Sequence, residues 1–317
     1  MRPLVAMRRR ALALSLTLLA LCGALAMPGA ACAADASGDP LLLEGRATSA
    51  DVATLPPGVR KLADLPYGAA ARQRIDVYLP PPGLARTGGA PILVMVHGGA
   101  WMFGDKASRG VVGAKIDHWV TQGWILVSVN NRLFPEVEPL EQARDVARAI
   151  AFVQRQAGAW DGDRTRLVLM GHSAGAHLVA LLSASPALAA SSGASRWAGT
   201  VVLDSAAVDL EALMRRRHQR FYDRVFGADP ARWHDESPTA RLAAGAIPML
   251  LVCSSTRPDD SCGQSERFSV HVNAVGTAAR VHREALSHAA INADLGRRSA
   301  YTDAVDTFVA EVLQTAR

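Results

Sequence analysis

Residues 167–175, LVLMGHSAG, decide the fold of this chain. The apolar run at their start predicts a strand buried on both faces of a sheet, and residues 174–183 after it predict a helix. Between strand and helix stands the pattern G-x-S-x-G. Such a sharp turn needs glycine on both sides of the serine, because a Cβ there would collide with neighbouring backbone. The pattern predicts that Ser173 is a nucleophile at a helix N-terminus, where the partial positive charge favours a developing anion.

Predicted strands and helices alternate along the rest of the chain. A half-exposed strand is predicted at 72–79, and apolar runs predict buried strands at 91–96, 124–129, 166–170, 199–203 and 247–253, with a last strand at 280–286. Helices are predicted around Trp119 and over 139–156, 174–183 and 301–313. This alternation predicts an α/β fold whose mostly parallel sheet is covered by helices on both faces. Functional side chains are then expected beyond the carboxyl ends of the strands.

The N-terminal residues have the layout of a secretory signal. Four arginines precede a short apolar run, no acidic residue occurs before Asp35, and a small-residue Ala-Cys-Ala site ends at Ala33. The apolar run, 11–26, is short for a membrane span, which needs about twenty residues. We therefore predict a signal peptide at 1–33, cleaved on export from the cytoplasm, so that the protein is secreted or periplasmic. An N-terminal arm at 34–66 and a single domain at 67–317 would follow.

The net charge argues against a polyanionic partner. The chain carries +5, with 34 Lys and Arg against 29 Asp and Glu, and removal of the four arginines of the signal leaves +1. We therefore expect no nucleic-acid partner and no stable membrane insertion after cleavage. The sequence contains no HExxH, Cys/His cluster or GxGxxG motif, so neither a metal nor a nucleotide cofactor is expected. The oligomeric state is left open.

A serine is a poor nucleophile until a base takes its proton, so a histidine should follow later in the chain. His288 comes just after the last predicted strand, in a loop at its carboxyl end. His172 and His177 are too close to the serine along the chain, and His271 and His282 lie inside predicted elements. His288 is therefore the predicted base.

The acid that orients this histidine should also follow a strand. The loop after 247–253 offers Asp259 and Asp260. Asp260 is preferred, because Asp259 directly follows a proline and suits a turn. Asp204 and Asp209, after the preceding strand, are alternatives because that strand end can also approach the histidine.

Two cysteines remain once the predicted signal is removed, Cys253 and Cys262. An even pair in an oxidising compartment predicts one disulfide. It would close a ring of ten residues around the predicted acid loop. The disulfide would either clamp that loop or simply stabilise an exported protein.

A glycine turn, HGGAW, follows the strand 91–96. Acyl transfer develops an oxyanion that needs preorganised donors, and glycine amides present no obstructing side chain. We expect these donors to be the amides of Gly98 and Gly99, together with that of Ala174, which follows the serine. The alternative is an ordinary glycine turn, but its pairing with a downstream serine turn favours the first interpretation.

Residues 209–246 interrupt the alternation of strands and helices. They combine three consecutive arginines, 215–217, with aromatic side chains at Phe221, Tyr222, Phe226 and Trp233. Aromatic residues make up only 5% of the chain, so their concentration here favours a small cap over the site. A helical connection with a solvated basic face is the alternative.

Together these motifs resemble the α/β-hydrolase superfamily. RQRIDVYLP, VMVHGGAW, GDK, NRLFP and GHSAG are similar in type and order to motifs of secreted hormone-sensitive-lipase-like and feruloyl-esterase-like carboxylesterases, over about residues 67–313. The resemblance implies an exported serine hydrolase that cleaves small carboxylic esters through an acyl-enzyme. Ser173 would attack the carbonyl, His288 would act as base and then acid, and Asp260 would orient the imidazole.

Three positions depart from the family pattern. Ala100 replaces the third glycine of an HGGG turn, Asn131 stands where tyrosine is usual, and Cys253-Ser254 replaces His-Gly in the acid loop. A formamidase or other amidase would use the same triad and is the near alternative. A catalytically silent binding module is the alternative from another class, although such relatives typically lose the serine or the histidine. A lactamase-like mechanism is not expected, because none of the three lysines lies three residues after a serine.

Overall fold

The computed structural model describes residues 54–84 and 88–315. The predicted signal peptide, 1–33, and most of the predicted arm lie outside the described residues. Within them, eight strands form one sheet: β1 (Arg60–Pro66), β2 (Arg74–Leu79), β3 (Ala90–Val96), β4 (Ile125–Val129), β5 (Gly162–His172), β6 (Gly199–Leu203), β7 (Met249–Ser254) and β8 (Ala279–Glu284). Their spatial order is β1-β2-β4-β3-β5-β6-β7-β8.

The sheet is parallel from β4 to β8, and only β1 and β2 run antiparallel to their neighbours. This arrangement confirms the predicted mostly parallel sheet. Because the crossovers bring the carboxyl ends of the parallel strands to one edge, the loops after β3, β5, β6, β7 and β8 meet there.

Strand β1 was not predicted, since it falls in the segment that the sequence indicates as a polar arm. Most of its side chains are exposed, and Leu62 and Leu65 are the apolar residues that pack against the core. It is an edge strand, and among the described strands it pairs only with β2. A strand held chiefly by backbone hydrogen bonds at an edge has no hydrophobic alternation from which it could be recognised.

Ten α-helices occur in the described part of the chain: α1 (Arg109–His118), α2 (Pro139–Gln156), α3 (Ala174–Ala184), α4 (Pro186–Ala190), α5 (Leu210–Met214), α6 (Arg220–Phe226), α7 (Pro230–Glu236), α8 (Ser261–Ala274), α9 (His288–Ala293) and α10 (Ala300–Thr315). Among the described residues, no helix is long and apolar enough to cross a membrane. The segment predicted as a cap contains α5, α6 and α7.

Helices cover both faces of the sheet, as predicted. On β3, Ile92 and Val94 pack into one core cluster with residues of α2 and α3, whereas Leu93 and Met95 pack into a second cluster with residues of α1 and α10. Consecutive side chains of a strand point to opposite faces, so a strand buried on both sides must be apolar throughout. This is the physical reason for the continuous apolar runs in the sequence.

Candidate active site

Ser173 stands at the turn between β5 and α3. Its φ of 56° and ψ of −117° are unfavourable for a residue other than glycine, at a cost of about 1–3 kcal/mol. The Ser173 N–H donates to the carbonyl of Leu203 on β6 at 2.9 Å, and the Ser173 carbonyl accepts from the His177 N–H at 3.1 Å. The surrounding backbone thus holds the strained turn, and the half-buried side chain lines a cavity.

Two glycines allow this turn to approach the loop after β3. A Cβ on Gly175 would lie 2.4 Å from the carbonyl oxygen of His97, and a Cβ on Gly98 would lie 2.9 Å from the Cβ of Ser173. Contacts this short are not tolerated by side chains. The HGG and GHSAG motifs therefore meet in space because each carries a glycine at the point of contact.

The amides of Gly98, Gly99 and Ala174 were the expected oxyanion donors. Among the described residues, none of these three N–H groups donates a hydrogen bond to another protein atom. Ala174 is the first residue of α3, and the first amides of a helix have no partner within it. All three residues line the cavity that Ser173 lines. The loop after β3 and the start of α3 thus place three residues with unpaired amides around one cavity.

His288 is the first residue of α9 and not part of an open loop after β8. Ser287 caps this short helix by accepting a hydrogen bond from the Ala290 N–H. The His288 side chain is buried and lines the same cavity as Ser173. Its Nδ1 lies 2.6 Å from Oδ2 of Asp204.

Asp204, and not Asp260, is the carboxylate that contacts His288. Asp204 directly follows β6, has a φ of 56° and is fully buried. Asp260 is the N-cap of α8, where it accepts from the Gly263 N–H, and it pairs with Arg267 while 54% of its side chain is exposed. The prediction that Asp260 orients the histidine is therefore wrong, because its side chain serves the helix that follows it.

The other two candidate aspartates also have different partners. Asp209 is the N-cap of α5 and accepts from the Ala212 N–H. Asp259 binds the guanidinium of Arg257, with Oδ1 accepting from Nε at 2.9 Å and Oδ2 accepting from Nη2. Neither carboxylate reaches the histidine.

Arg257, which the sequence did not single out, completes the surroundings of Asp204. Its Nη1 donates to Oδ2 of Asp204 at 2.9 Å and to the Asp204 carbonyl at 3.0 Å, and Oδ1 of Asp204 accepts from the Ser254 N–H at 2.9 Å. Burial alone would raise the pKa of the Asp204 carboxyl, but the hydrogen bond from His288 and the charge of Arg257 outweigh burial and hold this pKa well below its usual value. Asp204 is thus ionised at neutral pH, and His288 Nδ1–H is the donor.

The cavity that these residues line has a volume of about 70 Å³. Its aromatic wall consists of Trp101 from the glycine turn and of Phe221 and Tyr222 from α6. Trp101 is fixed by a hydrogen bond from its Nε1 to Nδ1 of His177 at 3.2 Å. Residues 209–246 therefore contribute to the cavity wall through α6, as the cap interpretation predicts.

His172 and His97 line the cavity as well, but one ring nitrogen of each bonds to a backbone carbonyl. Nε2–H of His172 donates to the His288 carbonyl at 2.9 Å, and Nδ1–H of His97 donates to the Gly98 carbonyl at 2.7 Å. Burial lowers the pKa of both imidazoles, that of His97 to about 4, so both rings are neutral at neutral pH. His172 thereby supports the start of α9. In the described ranges, no group of three or more His, Cys, Asp or Glu could hold a metal ion.

Cys253 and Cys262 form a disulfide, which confirms the predicted pairing. The bond joins the end of β7 to the first turn of α8, and both cysteines are buried. The loop that it closes carries Arg257 and Asp259. The disulfide thus constrains the segment that contacts Asp204.

This strand order, with a serine at the sharp turn after β5 and a His–Asp pair beyond β8 and β6, defines an α/β-hydrolase fold with a nucleophile turn. The family model described as BD-FAE matches residues 75–216. Esterase LipQ of Mycobacterium tuberculosis is 30% identical over 228 residues, which are 68% of this chain and 53% of the relative. The isoprenylcysteine alpha-carbonyl methylesterase ICME of Arabidopsis thaliana is 29% identical over 232 residues, with the same two coverages of 68% and 53%.

Solved structures share the fold. Esterase B from Lactobacillus rhamnosis superimposes with a TM-score of 0.66 at 18% identity, over 83% of this chain and 88% of that one. Thermogutta terrifontis esterase 2, phosphonylated by sarin, superimposes with a TM-score of 0.63 at 18% identity, over 81% and 95%. The chain has the α/β-hydrolase fold, and together the family model, the esterase relatives and the solved esterase structures support a carboxylesterase of the hormone-sensitive-lipase-like type. It spans only part of the length of the curated relatives that it matches, for example 53% of LipQ and of ICME.

Proposed function

We propose that this protein hydrolyses small carboxylic esters through a serine acyl-enzyme. The observation that carries the proposal is the hydrogen bond between His288 and the ionised Asp204, in a cavity that Ser173 also lines. The relatives support the reaction class, since LipQ is an esterase and ICME a methylesterase by name. The sarin-phosphonylated relative is an esterase of the same fold.

In the proposed mechanism, the Oγ of Ser173 attacks the ester carbonyl while Nε2 of His288 takes the hydroxyl proton. Asp204 stabilises the imidazolium that forms, and the amides of Gly98, Gly99 and Ala174 stabilise the oxyanion. Collapse of the tetrahedral intermediate expels the alcohol, which receives the proton from the imidazolium. Water then repeats the sequence on the acyl-enzyme and releases the acid.

The cavity favours short acyl groups. Its volume of about 70 Å³ leaves little room, and Trp101, Phe221 and Tyr222 form part of its wall. Trp101 packs edge-on against Phe226 with ring centroids 4.7 Å apart, so the aromatic wall is supported from behind. Short-chain esters are therefore the first substrates to assay.

The test is a pair of measurements on purified residues 34–317. We expect turnover of p-nitrophenyl acetate and butyrate, and we expect Ser173→Ala to abolish it. Ser269→Ala should leave it unchanged, because Ser269 is a half-buried serine of α8 that bonds to the Glu266 carbonyl and does not line the cavity. A fluorophosphonate should label the peptide that contains Ser173, as located by mass spectrometry. Undiminished turnover in Ser173→Ala would exclude the mechanism.

We also propose that residues 1–33 are removed on export, so that the enzyme acts in the periplasm or outside the cell. The buried disulfide supports an oxidising compartment, because such bonds are rare in reducing cytoplasm. N-terminal sequencing of the protein recovered from the producing cells should begin at Ala34. A mature chain that begins at Met1 would contradict cleavage.

A further inference from the structure

We propose that Arg257 is a positioning residue that holds Asp204 in the orientation in which it pairs with His288. The inference rests on the proposed function, in which Asp204 is the acid of the triad. Arg257 lies in the loop after β7, and only 7% of its side chain is exposed. It lines the same cavity as Ser173, so its charge lies at the edge of the reacting groups and not at the outer surface.

Arg257 bonds to Asp204 at two points. Its Nη1 donates to the backbone carbonyl of Asp204 at 3.0 Å and to the carboxylate Oδ2 at 2.9 Å. Asp204 has a φ of 56°, a conformation that a side chain-bearing residue adopts only when its surroundings hold it. A single nitrogen that bonds to both the carbonyl and the carboxylate restricts the backbone and the side chain of Asp204 together.

The two donors to Oδ2 also fix the rotation of the carboxylate. His288 Nδ1 and Arg257 Nη1 lie 2.9 Å apart, and both carry hydrogens, so they converge on Oδ2 and do not bond to each other. An ionised carboxylate oxygen has two lone pairs. With one lone pair occupied by Arg257, the other is directed at the imidazole.

Asp259 explains why a buried cation beside the base does not oppose catalysis. Its carboxylate binds Nε and Nη2 of Arg257, so the guanidinium lies between two carboxylates. The three groups together carry one net negative charge, which remains to stabilise the imidazolium. Asp259, which is half-buried, also anchors the far edge of the guanidinium and so fixes the direction of Nη1.

The kinetic test is a double-mutant cycle with a short-chain ester. We expect Arg257→Met to lower kcat by about 10- to 100-fold with KM within threefold, because the acid is misdirected while the other residues of the cavity wall are unchanged. In the Asp204→Asn background, the same substitution should lower kcat by less than about threefold, because its effect passes through Asp204. The proposal would be overturned if Arg257→Met lowered kcat in the Asp204→Asn background as much as in the wild type. It would also be overturned if Arg257→Met raised KM and left kcat unchanged.

A substrate-free measurement separates this proposal from the proposed function. The downfield proton resonance of His288 Nδ1–H should be present in the wild type and shifted or broadened in Arg257→Met, and an unchanged resonance would overturn the positioning role. Ser173→Ala tests the esterase function by itself, so the two failures are distinguishable. Arg196→Met is the matched control, since Arg196 also bonds to two backbone carbonyls, at Gly245 and Ala246, away from the cavity.

Arg257→Lys keeps the buried positive charge. It therefore tests the proposal even if Arg257→Met does not fold. A lysine ammonium lacks the planar fork that binds Asp204 and Asp259 at once. We expect kcat to fall by about three- to tenfold in Arg257→Lys. Wild-type kcat together with a wild-type Nδ1–H resonance in this variant would show that charge alone suffices and would overturn the positioning role.

Discussion

Nδ1 of His288 lies 2.6 Å from Oδ2 of Asp204, a residue 84 positions earlier in the chain. The two meet because β6, β7 and β8 are adjacent and parallel, so their carboxyl ends share one edge of the sheet. Asp204 directly follows β6, whereas His288 comes after β8. The histidine therefore reaches Asp204 across the end of β7, the strand between these two. The loop after that strand supplies Arg257 in place of a carboxylate.

Substitution of the candidate acids should separate their roles. We expect Asp204→Asn to lower kcat by about 10³- to 10⁴-fold, because an amide neither fixes the donor tautomer of His288 nor stabilises an imidazolium. Asp260→Asn should leave kcat within about twofold, since Asn also caps helices well. Steady-state kinetics on a short-chain ester gives both values. A larger loss of kcat in Asp260→Asn than in Asp204→Asn would show that Asp260 is the acid of the triad.

The sequence predicted the nucleophile turn, the histidine and the sheet because each leaves a local pattern. A buried parallel strand must be apolar throughout, and a sharp turn at Ser173 must carry glycines at contact points such as Gly175. His288 could be selected because it follows a strand. These properties depend on neighbours in the chain, so they can be read from it.

The choice of acid depended on long-range geometry and could not be made in the same way. Asp204 and Asp260 each follow a predicted strand, and nothing local tells which carboxylate faces the histidine. The deciding facts are the burial of Asp204 and the use of Asp260 as the N-cap of α8, a helix whose start the sequence pattern did not locate. Ser-Cys-Gly-Gln after Asp260 is a capping context that could have pointed to that helix.

Gly98 offers a direct test of the contact between the two glycine-containing motifs. A Cβ there would lie 2.9 Å from both the Ser173 Cβ and Nδ1 of His172. We expect Gly98→Ala to lower kcat/KM by at least about 10²-fold, because the nucleophile and the amide donors must move apart. The control is Gly158→Ala, where an added Cβ meets nothing within 4 Å. Equal activity of the two variants would disprove a close catalytic contact.

The disulfide should contribute measurably to stability. The bond between Cys253 and Cys262 closes a ring of ten residues. The chain-entropy relation gives a stabilisation of about 2.7 kcal/mol for a ring of this size. We expect the free energy of unfolding in urea to fall by about that amount in the Cys253→Ala/Cys262→Ala variant. Wild-type protein with a reductant should show a similar loss. A change below about 0.5 kcal/mol in both would mean that the unfolded chain is not restricted by the bond.

Lys115 should make stability depend on pH. This lysine of α1 is buried, and its Nζ donates to the carbonyl of Asn292 at 2.7 Å and to the Asn292 Oδ1 at 2.9 Å. Burial lowers the pKa of the Lys115 ammonium to about 7, and the nearby charge of Asp294 opposes this only in part. In the unfolded chain the same group keeps its proton up to about pH 10.

The sign of this pH dependence follows from proton binding. Between about pH 7 and 10 the unfolded chain holds one proton more at Lys115 than the folded chain, so the free energy of unfolding rises with pH; below pH 7 both states are protonated and the contribution is constant. We expect wild type to gain about 1 kcal/mol per pH unit relative to Lys115→Met over this range. Urea unfolding of both proteins at pH 6, 7.5 and 9 measures the difference. Parallel curves would show that Lys115 keeps its proton in the fold.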